Sequence, residues 1–69
     1  MTRVLLGVRG MDTPDAKERV RDTLLAVDGV ETVEVGADQQ AAVSYDPTAV
    51  TVMELIRALR NIGFLAGME

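Results

Sequence analysis

Apolar and polar positions alternate at the start of the chain and then lengthen to intervals of three and four. Val4, Leu6 and Val8 alternate with Arg3, Leu5 and Gly7, the period of two that marks a strand. Leu5 gives the second face apolar character as well, which predicts a central strand rather than an edge. Ala16, Val20, Leu24 and Val27 then repeat at helical spacing, with Lys17, Glu18, Arg21 and Asp22 on the opposite side. Thr13-Pro14 supplies the start of that helix, Asp15 and Glu18 suit its positive end, and Asp28-Gly29 its stop. Val30, Val33 and Val35 sit among Glu31, Thr32 and Glu34 as a strand with one dry face. A polar stretch of hairpin length, residues 36–40, leads to a returning strand through Ala41, Val43 and Tyr45.

Asp46-Pro47 ends that strand. Thr51 with Glu54 forms a capping box before a second apolar stripe of Val52, Leu55, Ile56, Leu59 and Ile62. Arg57 and Arg60 face water on the other side of this helix, and Gly63 closes it. Phe64, Leu65 and Ala66 suffice for a short last strand, leaving 67–69 as a tail.

The order βαββαβ, with right-handed crossovers, predicts a ferredoxin-like α+β sandwich: a four-stranded antiparallel sheet with two helices on one face. Each helix ends at a glycine followed by an apolar residue, Gly29-Val30 and Gly63-Phe64, an internal pseudo-symmetry. At 69 residues there is room for one domain, 1–69. A domain of this size hides only about 60% of its unfolded surface, so the 48% of apolar residues must be well placed. No apolar run approaches the roughly 20 residues of a membrane span, and no leader pattern precedes the first strand. A cytoplasmic location without membrane insertion is the expectation.

Composition narrows the chemistry. The chain has no Cys and no His, so it has neither a disulfide framework nor a thiolate or imidazole metal ligand. The usual general base near neutral pH is missing too. A formal charge of −4, one Phe and one Tyr oppose nucleic-acid binding, which draws on cationic and stacking surfaces.

The stretch Gly10-Met-Asp-Thr-Pro-Asp-Ala16 links the first strand to the first helix, where small α/β domains place their chemistry. Together with Leu6-Gly-Val8, the Asp28-Gly29-Val30 corner, Val33-Glu-Val35, Tyr45-Asp46-Pro47 and Ile62-Gly63-Phe64, it resembles the heavy-metal-associated domain family. The resemblance runs from about Arg3 to Ala66 and is nearest in length and element order to the free-standing bacterial copper chaperones of that family.

That family carries Gly-Met-x-Cys-x-x-Cys in this place. Gly10 and Met11 match, while Thr13 and Ala16 stand where the two cysteines would be. The thiolate role therefore transfers to neither position, and a heavy-metal ion (Cu or Zn) is implied only by the resemblance. What does carry over is loop support: Gly10 and Met11 in the frame, and Phe64 beside it. The resemblance also places partner docking on the loop and first helix, at Arg9, Lys17 and Arg21, toward a metal-transporting ATPase or another domain of the same fold.

Asp12 matches an acidic position of zinc-type members. With Asp15 and Thr13 it offers two carboxylates and a hydroxyl, short of the six to eight oxygens calcium takes, and Asp15 is already suited to a helix start. Of the methionines, Met11 reads as core, Met53 as a helix residue, and Met1 and Met68 as mobile chain ends. Arg9 and Asn61 invite comparison with acylphosphatase-like enzymes of the same fold, but their longer glycine-rich loop has no counterpart here. The expectation is a protein that is not an enzyme. The alternative reading is a metal-independent interaction or regulatory module, a homodimer formed through a sheet edge.

Overall fold

The computed structural model describes residues 2–36 and 38–68. Its elements are β1 (Thr2–Arg9), α1 (Pro14–Leu25), β2 (Val30–Val35), β3 (Gln40–Tyr45), α2 (Val52–Asn61) and β4 (Leu65–Met68). The strands form one sheet in the order β2-β3-β1-β4, every neighbouring pair antiparallel. The ferredoxin-like sandwich is thus the observed fold. β1 is an inner strand, in register with β3 from Thr2↔Tyr45 to Gly7↔Gln40 and with β4 from Leu6↔Met68 to Arg9↔Leu65.

One face of the sheet is dry. Val4, Leu6 and Val8 of β1 join Ala41, Val43 and Tyr45 of β3, Val20 and Leu24 of α1, and Leu55 and Leu59 of α2 in a single buried cluster. Both helices therefore cover that face by their apolar stripes. On the other face Leu5 remains 41% exposed despite its inner strand.

The helix starts are chemically explicit. The Oγ1 atoms of Thr13 and Thr51 accept hydrogen bonds from the N–H groups of Ala16 (3.1 Å) and Glu54 (3.3 Å), and Pro14 occupies the first turn of α1. At the far side, Gly29 (φ +98°) packs so closely on the β3–α2 connection that a β-carbon there would lie 2.9 Å from Ala49 Cβ. Asp46 N–H donates to Gly29 O across 2.8 Å in the same corner.

Several boundaries differ from the sequence reading. Helix α1 ends at Leu25, and Val27 reaches the core from the connection that follows. Strand β4 is Leu65–Met68 rather than 64–66, because Gly67 and Met68 pair with Gly7 and Leu6. Met68 is thus part of the sheet and not a mobile end, while Met1 lies outside the described residues. Phe64 precedes the strand: its N–H donates to Leu59 O (3.0 Å) and its ring is buried. The hairpin turn spans residues 36–39, of which Ala37 is outside the described set. A bulge between Val30 and Thr32 breaks the β2–β3 register.

Candidate functional site

The β1–α1 loop is built from a buried floor and an exposed rim. Gly10 leaves β1 at φ +93°, a conformation that side chains disfavour. A β-carbon at Gly10 would lie 3.5 Å from Cδ1 of Phe64, so the backbone rests against that ring. Met11 turns inward and is fully buried. Asp12, Thr13, Pro14 and Asp15 form the exposed rim, and Ala16 is half-buried.

Thr13 is committed to the helix. Its backbone is extended (φ −117°, ψ 158°), its hydroxyl accepts from Ala16 N–H, and its carbonyl accepts from Lys17 N–H at 3.0 Å. Asp15 lies in the first turn of α1, where its charge complements the positive end of the helix. Among the described residues no group of three or more His, Cys, Asp and Glu side chains is arranged to hold a metal ion.

These donors do not fit a soft ion. Soft metals select thiolate and thioether sulfur. Position 13 instead offers a neutral hydroxyl already used in capping, and position 16 a methyl group. The sulfur of Met11 is enclosed with the rest of its side chain in the core. No two-ligand thiolate site exists in this loop.

The three cations named for docking line two grooves. Lys17 and Arg21 line a groove of about 660 Å³ between α1 and β2, with Pro14, Glu18, Val33 and Glu34. Arg21 Nε lies 3.7 Å from Asp22 Oδ1. Arg9 lines a different groove, of about 510 Å³, beside β4 and the β2–β3 turn. That turn supplies a contact the sequence did not reveal: Gln39 Oε1 accepts from Gly10 N–H at 3.2 Å. A polar turn residue 29 positions away carries no periodic signal that would pair it with the loop.

Sheet order, Gly-Met loop and capped first helix together place the chain among the small ferredoxin-like domains built around a β1–α1 loop. The pattern of the heavy-metal-associated domain matches residues 5–64, and the chain belongs to that family. The copper chaperone CopZ of Staphylococcus aureus (strain bovine RF122 / ET3-1) is 32% identical over 65 residues, covering 93% of this chain and 96% of CopZ. Among solved structures, oxidized MerP from Ralstonia metallidurans CH34 superposes with a TM-score of 0.95 at 28% identity, over 99% of this chain and 96% of MerP. A copper binding domain from HMA7, a P-type ATPase, superposes with a TM-score of 0.96 at 27% identity, over 100% and 95% of the two chains. The chain is thus a small heavy-metal-associated domain protein, similar to copper chaperones, whose metal loop has no cysteine.

Proposed function

We propose that this chain is a docking protein of the heavy-metal-associated family that meets its partner through the loop end of the molecule without ferrying a soft ion. One observation carries the proposal. The loop keeps its frame, with Gly10 against Phe64 and Met11 buried, while the hydroxyl of Thr13 caps a helix and Ala16 offers no donor.

The partner is another domain of this fold, such as that of a metal-transporting ATPase. The similarity to a copper chaperone and to a P-type ATPase domain supports this class. Lys17 and Arg21 beside Glu18 and Glu34 give a mixed-charge groove, suited to transient, orientation-selecting contact. The chain works by binding rather than catalysis, as one domain, in the cytoplasm. No helix among the described residues is long and apolar enough to cross a membrane.

Competition for Cu(I) against a chromophoric chelator tests the first half of the proposal. The native chain is expected to leave the chelator's colour unchanged, and the variant T13C/A16C to withdraw Cu(I) stoichiometrically. Withdrawal by the native chain would overturn the proposal; failure of the variant would show that the metal-loop frame is not retained. Titration of labelled protein with the HMA7 copper binding domain tests the second half, with shifts expected from Gly10 to Arg21. No shifts, together with a concentration-dependent dimer in sedimentation, would favour the homodimer reading. The exposed Leu65 and Met68 of edge strand β4 support that second reading.

A further inference from the structure

Gln39 is the one non-glycine residue with positive φ (+56°) among the described residues. Left-handed backbone is occupied most readily by Gly, then by Asn and Asp. A strained residue held by its surroundings points to a purpose for the strain. Gln39 is exposed, so burial is not that purpose.

Its two acceptors show another. The carbonyl of Gln39 accepts from Val8 N–H at 2.7 Å, extending the β1–β3 ladder past Gly7↔Gln40. Its side-chain Oε1 accepts from Gly10 N–H at 3.2 Å. Gly occupies the same backbone conformation without strain but has no side chain, and Asn is one methylene shorter than Gln. The residue present spans the distance to the loop. Gly10 is thereby held from two directions, by the Phe64 ring and by the amide of Gln39.

We infer that Gln39 is a positioning residue for the β1–α1 loop, and that the β2–β3 turn belongs to the docking end. This rests on the docking reading for its biological use, but the latch is measurable without a partner. It also ties Arg9, which lines a groove other than that of Lys17 and Arg21, to that end: Arg9, Asp38 and Gln39 line one groove together with Leu65. The loop and the turn move as one unit while the latch holds.

Residue-resolved amide exchange on the full chain tests it, comparing native protein with Gln39→Met and Gln39→Glu. Methionine keeps the length and the backbone strain but lacks the oxygen; glutamate restores an oxygen acceptor. In Gln39→Met the Gly10 amide should exchange at least tenfold faster and the Met11–Thr13 resonances should shift, with Val8 protection retained. Gln39→Glu should return both to native values. The inference is overturned if Gly10 exchange is unchanged in Gln39→Met, if Val8 and Gly10 lose protection together, or if Met11–Thr13 do not shift. Loss of the Gly10 latch in Gln39→Met with no response of native protein to a partner domain would sink the docking reading and leave the latch standing.

Discussion

Gly10 and Phe64 meet from opposite ends of the sequence: the glycine that leaves the first strand rests on the ring that precedes the last. A β-carbon at Gly10 would find ordinary contact with that ring, at 3.5 Å, whereas one at Gly29 would collide with Ala49 Cβ at 2.9 Å and Val50 Cγ1 at 3.0 Å. Both glycines have φ above +90°. Gly10→Ala should therefore cost only the backbone term, about 1–2 kcal/mol. Gly29→Ala should add an overpacking penalty of about 1–3 kcal/mol. Urea unfolding of the two variants should rank them in that order; equal costs would mean the β3–α2 connection yields freely.

The cap at Thr13 sets a second expectation. Removing an N-cap oxygen costs about 1 kcal/mol, which for a domain of this size lowers Tm by about 4–8 °C. Thr13→Ala should show that loss and Thr13→Ser should not. If Thr13→Ala melts like the native chain, the hydroxyl is free, and the reading of position 13 as a helix cap fails.

A third expectation concerns acid. The Thr48 hydroxyl (2.7 Å) and, secondarily, the Thr48 N–H (2.9 Å) both donate to Asp46 Oδ1, holding its pKa below the ordinary 3.8. A lowered folded pKa favours the carboxylate in the native state. Its contribution is present above the unfolded value and is lost as pH falls through the lower folded value. Thr48→Val, which removes the hydroxyl, should raise the Asp46 pKa toward 3.8 in a carboxyl-carbon titration and flatten the loss of stability on the acid side of that value. An unmoved titration would show that the turn does not bind the charge.

The architecture was legible in the sequence because its signals are periodic and local. β1 announced itself by alternation, α2 by Thr51 and five apolar residues on one stripe, and the sandwich followed from their order. The end of β4 was not legible, since Gly67 has no side chain to extend an alternation and joins the sheet only through its backbone pairing with Gly7. Helix α1 stopped early for a related reason: Val27 faces the core from the connection as well as it would from another helical turn. The loop's frame was visible in Gly10 and Met11. The Gln39 contact was hidden because a hydrogen bond spanning 29 residues leaves no trace in local pattern.

Thr13 and Ala16 have one more consequence, in the language of redox chemistry. Thiolates in such a loop are open to disulfide formation, sulfenic acid and glutathionylation. Here the chain has no thiol, and the nearest sulfur, in Met11, is enclosed by the core. The β1–α1 loop therefore offers no thiol chemistry under reducing or oxidising conditions, and the sulfur open to oxidation beside it is that of exposed Met68, which lines the groove shared by Arg9 and Gln39.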